Sequence, residues 1–386
     1  MKINTLGVLF FDHFVNDFYS LFIPLFIPFL VSHLGINYFE ASLLVAAVTV
    51  IGAVLQSPVG YWADRYRKRV GFIALGFLFY ALGAISLGLS TNFPLLFLSS
   101  ILIGFATTTY HPQGTTLITA EFTRKGHALG VHGVGGQLGR FFSPVLIGFL
   151  VSRFEWRKSS IILSFPAIIA IFLSLWTLKE PEKRGEKGIA EAITFPIFLL
   201  ILILGIRGTV FQGIVSFLPS FFITTGSSIN TTGILTGIML ASGLLAQLLG
   251  GILGDKISKG KIIFSSLLGL SLLFFIFYLF MIQIAKGHLL GFGLLTFFLF
   301  AIGFCIFVTF PVGLALSAEL SRGGKVGTSV GAVMGGGLVF PSVFLPVTGH
   351  LIDRFGFIEG FSLLLILSFV ATLISLFYLK FDFPSR

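Results

Sequence analysis

Twelve long apolar runs dominate this sequence and restrict the folds open to it. Each run has about 20 residues or more, the length that an α-helix needs to cross about 30 Å of hydrocarbon. A membrane β-barrel would instead show segments of about ten residues with alternating polarity, and the sequence has no such alternation. We therefore predict an all-α integral membrane protein. The predicted spans cover residues 6–33, 41–63, 70–90, 93–121, 127–152, 158–178, 194–224, 231–255, 261–284, 288–319, 326–352 and 357–380.

The first run could be mistaken for a signal peptide. A signal peptide has an uninterrupted apolar core followed by a cleavage site with small residues. Here Asp12, His13, Asn16 and Asp17 interrupt the apolar run, and no clear small-residue cleavage site follows it. We predict that this run is retained as the first membrane helix.

The basic residues show how the chain is oriented. The net charge is +10, and 18 of the 25 Lys and Arg residues lie in segments that face the cytoplasm if both termini are cytoplasmic. Five lie in the opposite segments, while Arg140 and Arg207 fall within predicted spans. This bias obeys the positive-inside rule and predicts a chain in the cytoplasmic (inner) membrane with both termini in the cytoplasm. Basic residues placed in this way argue against a nucleic-acid partner and for a lipid bilayer.

Several chemistries lack the residues that they require. Cys305 is the only cysteine, so neither an intramolecular disulfide nor a cysteine-based metal cluster can form. The glycine-rich segments lack the Lys-Ser/Thr of a phosphate-binding loop, and neither a zinc-protease motif nor Gly-x-Ser-x-Gly is present. We predict no enzyme activity, no ATP-driven transport, no cofactor and no metal site.

The chain contains an internal repeat. Residues 60–65 are echoed by residues 251–256, at an offset of 191. Three further echoes, at offsets of 198 to 201, pair residues 112–114 with 311–313, 120–121 with 318–319, and 148–154 with 349–355. We predict two six-helix bundles, residues 1–178 and 194–386, joined by a polar cytoplasmic linker at 179–193. Six crossings in each half make a parallel repeat, which predicts a substrate site between the halves near the middle of the membrane.

The first predicted span has a polar face. Asp12, His13, Asn16 and Asp17 lie on one side of the helix, and phenylalanines lie on the other. Because an ionisable group in hydrocarbon costs several kcal/mol, this face must line a cavity or contact polar groups on another helix. If it lines a cavity, Asp12 and Asp17 are candidate proton carriers, and His13, one turn before Asp17, influences its protonation. The alternative is a structural polar contact between helices.

Two other spans place an arginine near their middle. Their candidate polar residues are His132, Gln137 and Arg140 in the fifth span and Arg207 and Gln212 in the seventh. An arginine stays charged, so Arg140 either pairs with an acid such as Asp17 or binds an anionic substrate. Arg207 supplies a cation from the other half.

His111 and Pro112 lie inside the fourth predicted span. Proline frees a backbone carbonyl and can kink the helix, and the threonines at 107–109, 115 and 116 can satisfy the freed groups. Pro311 in the tenth span suggests that the kink is shared by both halves. His111 either points into the cavity or is a satisfied core histidine.

The repeated motif lies at the cytoplasmic ends of the second and eighth spans. A glycine permits close helix approach there, and an aspartate can pair with the following base or accept from a helix N-terminus. The candidate gating residues are Gly60, Asp64, Arg65, Gly251, Asp255 and Lys256. The alternative is an ordinary loop charge cluster that obeys the topology. With these motifs the chain resembles the major facilitator superfamily, which carries Gly-x-x-x-Asp-Arg-x-x-(Lys/Arg) between its second and third helices and repeats it in the second half.

Within that superfamily the chain resembles the fosmidomycin-resistance type of efflux transporter. The shared strings are His13-Phe14-x-Asn16-Asp17, Gly60-Tyr61-Trp62-x-Asp64, His111-Pro112, Val134-Gly135-Gly136-x-x-Gly139 and Arg207. The resemblance implies export of small molecules, including an anionic phosphonate antibiotic, in exchange for protons. Two residues depart from the type: Gln113 stands where it has an acid, and Arg140 where it has a small or neutral residue. Both make the cavity more positive, and coupling would rest on Asp12, Asp17 or a histidine.

We therefore predict a major facilitator fold and a monomeric secondary transporter that works by alternating access. The predicted activity is proton-coupled efflux of a small anionic or amphiphilic organic molecule. The alternatives are an importer or facilitator of an organic anion or a sugar-like solute, and a membrane sensor that transports nothing.

Overall fold

The computed structural model describes residues 2–180, 194–288, 290–321 and 326–379. Within these residues the chain forms fifteen α-helices and no strand. The helices are α1 (Lys2–Ser20), α2 (Phe22–Leu34), α3 (Tyr38–Tyr66), α4 (Arg69–Leu89), α5 (Phe93–Thr107), α6 (His111–Glu121), α7 (Lys125–Phe154), α8 (Trp156–Ile162), α9 (Phe165–Thr177), α10 (Phe195–Thr224), α11 (Ile229–Gly254), α12 (Lys259–Ala285), α13 (Phe292–Leu320), α14 (Val326–Phe355) and α15 (Phe357–Leu379).

These helices make twelve candidate membrane spans in the part of the chain that the structure describes. The predicted number is confirmed, and the boundaries agree closely. The largest difference lies at the start of the tenth span, which was expected at residue 288 and begins at Phe292. Length and apolar composition alone were therefore sufficient to locate the membrane spans.

Three spans consist of two helices each. The first span is broken between α1 and α2, the fourth between α5 and α6, and the sixth between α8 and α9. Pro24, Pro112 and Pro166 follow these breaks within three residues of the new helix start. A proline has no N–H, and its ring clashes with the carbonyl four residues earlier, so the preceding turn ends. By contrast, α13 runs through Pro311 without a break, so the interruption at Pro112 is not shared by the second half.

Polar side chains satisfy the carbonyls near two of the breaks. The hydroxyls of Thr107, Thr108 and Thr109 donate to the carbonyls three residues earlier at 2.6 to 2.9 Å. These bonds go to the carbonyls of Gly104, Phe105 and Ala106 and not to that of Thr108, which Pro112 frees, so the predicted role of the threonines stays a prediction. At the break between α8 and α9, the hydroxyl of Tyr19 donates to the carbonyl of Leu163. Such bonds are necessary because hydrocarbon offers no water to a freed carbonyl.

By their contacts the residues form two compact units. The first comprises Met1–Ile36, Leu43–Glu186 and Ile229–Gly237, and the second comprises Asn37–Ser42, Lys187–Ser228 and Ile238–Arg386. Two short segments, 37–42 and 229–237, are thus grouped differently from the predicted division of the chain. The predicted linker at 179–193 lies outside the described residues except for its first two.

Glycines allow close helix packing in each unit. In the first unit α1 packs along α7, and a Cβ at Gly135 or Gly139 would overlap the carbonyl oxygens of Phe10 and Phe14. In the second unit α10 packs along α14, where Gly205 faces a phenylalanine ring. Small residues at such interfaces let two backbones approach closely in a membrane. The packing of α1 on α7 places the polar face of α1 against the polar face of α7.

Candidate functional site

The polar faces of α1, α6 and α7 meet in a buried cluster inside the first unit. We call it the polar cluster. Its members are His13, Asn16 and Asp17 of α1, His111 of α6, and His132 and Arg140 of α7. All six were candidate site residues from the sequence, and the structure brings them together.

An ion pair between Asp17 and Arg140 lies at the centre of the polar cluster. Arg140 Nη2 is 3.0 Å from Asp17 Oδ2. The side chain of Asp17 is 2% exposed and that of Arg140 is 26% exposed. A charged arginine in a membrane span requires such a partner, because it cannot lose its proton. Of the two roles predicted for Arg140, the structure shows the pairing with an acid.

Two histidines approach the same carboxylate. His13 Nε2 is 3.5 Å from Asp17 Oδ2, and His111 Nε2 is 3.5 Å from Asp17 Oδ1. His13 Nδ1 lies 2.8 Å from the carbonyl oxygen of His132, and the two imidazole rings stack with centroids 4.0 Å apart. Since a carbonyl oxygen only accepts, His13 carries a proton on Nδ1, and its Nε2 faces Asp17.

Asn16 connects the cluster to α4. The Tyr80 hydroxyl donates to Asn16 Oδ1 at 3.1 Å, so the Asn16 amide nitrogen points the other way. That nitrogen lies 2.9 Å from Asp17 Oδ1 and 3.2 Å from His111 Nε2. One amide group therefore holds both the acid and a histidine in place. Tyr80 is fully buried, and the sequence analysis missed it.

A second tyrosine was also missed. Tyr110, at the break between α5 and α6, is buried, and its hydroxyl lies 2.6 Å from the carbonyl of Leu9 and 3.0 Å from His132 Nε2. The signal available in the sequence was a tyrosine inside an apolar span. A buried phenol needs a hydrogen-bond partner, and that requirement points to a polar neighbour.

Gly136 makes room for the polar cluster. A Cβ at this position would lie 2.5 Å from His13 Nε2 and 2.7 Å from Asp17 Oδ2. Both distances are shorter than a van der Waals contact, so any side chain would displace the imidazole or the carboxylate. The glycine at this position of α7 is thus needed by the site and not only by helix packing.

Asp12 is separate from the polar cluster. Its carboxylate is fully buried, and Oδ2 accepts a hydrogen bond from Ser174 of α9 at 2.8 Å. Its other oxygen has no hydrogen-bond partner among the described residues. The predicted polar face of α1 is therefore divided, with Asp12 directed to α9 and the remaining residues directed to α6 and α7. Gln137 is also buried, and its side-chain oxygen lacks a partner in the described part of the chain.

The candidate residues of the second unit lie on α10. Arg207 is near the middle of this helix, where its Nη1 donates to the carbonyl of Ile306 at 3.3 Å and its guanidinium lies 5.8 Å from the centroid of the Phe310 ring. A cation over an aromatic face is stabilised by the ring quadrupole. Gln212 is partly buried on the same helix.

The candidate gating residues lie at the ends of α3 and α11. Gly60 and Asp64 belong to the last turns of α3, and nothing is described of the Asp64 side chain. Arg65 is exposed and donates to the Tyr61 hydroxyl at 3.2 Å, an interaction that raises the pKa of Arg65.

The second copy of the motif differs in its local structure. Gly251 is in α11, whereas Asp255 and Lys256 form an exposed turn after it. An ion pair that the sequence analysis did not predict joins Lys259 at the start of α12 to Glu319 at the end of α13, at 2.7 Å.

Comparisons with known proteins identify the family. The sequence profile of the Major Facilitator Superfamily matches residues 9–283 and, in a second match, residues 200–386. The fosmidomycin resistance protein of Escherichia coli (strain K12) is 22% identical over 279 residues, which are 69% of this chain and 68% of that protein. A probable sulfoacetate transporter of Cupriavidus necator is 22% identical over 386 residues, covering 91% of this chain and 87% of that protein. The crystal structure of a D-xylose-proton symporter has a TM-score of 0.80 at 14% identity and covers 100% of this chain and 99% of that one.

Twelve candidate membrane spans in the described part of the chain, some with charged residues inside them, indicate an integral membrane protein. The chain belongs to the Major Facilitator Superfamily. The predicted family and fold are confirmed. The proteins that it resembles are secondary transporters and not enzymes.

Proposed function

We propose that this chain carries a small organic anion, or an amphiphilic molecule with an anionic group, across the cytoplasmic membrane by proton-coupled alternating access. The observation that supports this most strongly is the 3.0 Å ion pair between Asp17 and Arg140. One partner can bind a proton and the other can bind an anion. This one ion pair would then bind both the coupling proton, at Asp17, and the substrate anion, at Arg140.

The coupling step that we propose is an exchange of partners at Arg140. A proton on Asp17 removes the negative charge that holds the guanidinium, and an anionic group of the substrate takes its place. Arg140 is the more exposed member of the pair, at 26% against 2% for Asp17, and is therefore the one that a substrate can reach. Arg207 in the second unit is a further cation within a span, and we propose that it contributes to the preference for anions.

The sign of the coupling follows from this exchange. Asp17 and the substrate anion compete for one guanidinium, so a bound proton raises the affinity for the anion, and the anion raises the affinity for the proton by the same factor. Such positive linkage suits cotransport of the anion with a proton. An anionic cargo is also supported by the similarity to a probable sulfoacetate transporter.

The second candidate is efflux in exchange for protons. The similarity to a fosmidomycin resistance protein favours it. Exchange requires the proton and the substrate to exclude each other, as when a hydrogen-bond donor or a cationic group of the substrate binds the Asp17 carboxylate. Both candidates use the same acid, but they predict opposite responses to a pH gradient.

Transport into proteoliposomes separates the two candidates. Sulfoacetate and fosmidomycin serve as probes, and the pH is set independently on each side of the membrane. Cotransport predicts faster uptake when the side that holds the probe is more acidic, and exchange predicts faster uptake when the opposite side is more acidic. Asp17→Asn is expected to remove the response to pH, while Glu359→Gln, an exposed acid of α15, is expected to keep it. A rate of probe uptake that does not depend on the imposed pH gradient would contradict both forms of the proposal.

We also propose that both termini and the motifs at 60–65 and 251–256 face the cytoplasm, where the motifs act in gating. The distribution of basic residues supports this orientation. Because Cys305 is the only cysteine, the single change Cys305→Ser gives a cysteine-free background. A cysteine introduced at Arg67, an exposed position after α3, should then react with an impermeant maleimide only in inverted vesicles. Labelling in right-side-out vesicles would contradict the orientation.

A further inference from the structure

We propose that His13, Asp17 and His111 bind a divalent transition-metal ion such as Zn²⁺, Co²⁺ or Ni²⁺. One ligand atom from each residue lies within 4.8 Å of the other two. The sequence analysis predicted no metal site, because the chain has neither a cysteine cluster nor a zinc-protease motif. Folding of α6 against α1 brings the three side chains together. The inference goes beyond the proposed transport function, since it concerns a different ligand.

The donor set is one that such ions prefer. Two imidazoles and one carboxylate suit zinc and its neighbours in the first transition row, whereas calcium and magnesium prefer oxygen ligands alone. The His13 and His111 nitrogens each lie 3.5 Å from a carboxylate oxygen of Asp17. Ligand atoms around a tetrahedral ion, each about 2.0–2.1 Å from the metal, are about 3.3 Å apart. The two distances run to different carboxylate oxygens, and the three ligand atoms lie within 4.8 Å of one another, so an ion fits only when the side chains draw together by up to about 1.5 Å.

Nε2 of His13 is directed at the site. Nδ1–H of the same ring donates to the carbonyl oxygen of His132 at 2.8 Å, so Nε2 is the ring nitrogen that faces Asp17. A second hydrogen bond of this kind is the usual support of a metal-bound histidine. A metal ion bound at Nε2 would take the place of any proton on that nitrogen.

The orientation of His111 is determined in a similar way. The Tyr80 hydroxyl donates to Asn16 Oδ1, so the Asn16 amide N–H groups point to Asp17 and to His111 Nε2. His111 Nε2 therefore acts as an acceptor, and its one lone pair is engaged by the Asn16 amide, so a metal ion at this nitrogen must displace that hydrogen bond. The His111 side chain is 38% exposed, which leaves one ligand of the site accessible.

Arg140 competes with the metal ion for Asp17. Its guanidinium lies 3.0 Å from Oδ2 and already neutralises the carboxylate. A divalent ion next to it is repelled, so metal binding requires Arg140 to move away from the carboxylate. The metal and the guanidinium are then alternative partners of one acid. Substitution of Arg140 is therefore expected to raise the affinity for the metal ion, whereas substitution of either histidine is expected to lower it.

The test measures Co²⁺ binding to the purified full-length protein in detergent, without a polyhistidine tag, at mildly alkaline pH. Visible absorption of bound Co²⁺ reports ligand number and geometry, and titration with Zn²⁺ reports displacement. His111→Gln and His13→Gln are expected to weaken Co²⁺ binding by about tenfold or more. His33→Gln, which removes an exposed imidazole at the end of α2, is the matched control and should leave the affinity unchanged. Arg140→Gln is expected to strengthen binding at least tenfold.

Three results would overturn the proposal. The first is the absence of a bound-Co²⁺ spectrum in both the wild-type and the Arg140→Gln proteins at every accessible Co²⁺ concentration. The second is equal affinity in the His111→Gln and His33→Gln proteins, which would place the ion elsewhere. The third is weaker binding in Arg140→Gln. None of these measurements requires a gradient or an organic substrate, so the metal site and the transport proposal can fail independently.

Discussion

The ion pair in the polar cluster allows a prediction of stability that needs no substrate. Two opposite charges 3.0 Å apart attract by about 5.5 kcal/mol at an effective dielectric constant of about 20, before the cost of removing them from water is subtracted. Loss of one partner leaves the other charge buried, which destabilises by about 3 to 5 kcal/mol. Arg140→Gln is expected to lower the free energy of unfolding by about 3 kcal/mol, the lower end of this range, because the histidines and Asn16 still contact Asp17. Asp17→Asn is expected to cost about 2 kcal/mol, since the partly exposed guanidinium can be hydrated.

A double-mutant cycle isolates the interaction between the two residues. The double variant Asp17→Asn/Arg140→Gln leaves no buried charge in the pair and is expected to cost about 2 kcal/mol, not the sum of about 5. The free energy of unfolding is measured by SDS titration in mixed micelles. Arg153→Gln, an exposed guanidinium on the same helix, is the control and should change the free energy of unfolding by less than about 1 kcal/mol. Additivity within about 0.5 kcal/mol would show that Asp17 and Arg140 do not interact.

Three further predictions use the same unfolding measurement. Gly136→Ala should destabilise by about 1–3 kcal/mol, because the methyl group overlaps the cluster, whereas Gly133→Ala, with open space at its Cβ, should be neutral or stabilising. Tyr80→Phe should cost about 1–3 kcal/mol, since it leaves a buried amide oxygen of Asn16 without its donor. Glu319→Gln breaks the ion pair with Lys259. It should lower the free energy of unfolding by about 1 kcal/mol or less, and this difference should vanish at high salt.

Apolar length was enough to predict the membrane spans of this chain, and the internal repeat with its Gly-x-x-x-Asp motifs led from the spans to the fold. A run of about 20 apolar residues has no stable alternative to a helix in hydrocarbon, so each span could be located from the sequence. The pairing of Asp17 with Arg140 was one of two roles open to that arginine, because a charge inside a span needs a partner. These inferences depend only on the polarity or charge of a residue and on its depth in the membrane.

What the sequence did not predict depends on which helices are neighbours. Asp12 and Asp17 share a face of α1, yet Asp12 contacts α9 and Asp17 contacts α6 and α7. Helical periodicity gives the direction of a side chain but not the helix that it meets. The roles of Tyr80 and Tyr110 were missed for the same reason, since their partners lie 64 and 22 residues away in the chain. The metal-ligand geometry at His111 likewise exists only after α6 has packed against α1.

The break at Pro112 has an electrostatic consequence for the polar cluster. It makes α6 begin inside the fourth span, at His111, whose imidazole lies 3.5 Å from Asp17. The aligned peptide dipoles of a helix place about half a positive charge at its N-terminus. Unlike the charge of the histidines, this partial charge comes from peptide groups and does not depend on protonation. The break therefore places two opposite partial charges at this depth of the membrane that do not change with pH, a positive one at the start of α6 beside the polar cluster and a negative one at the end of α5 at Thr107.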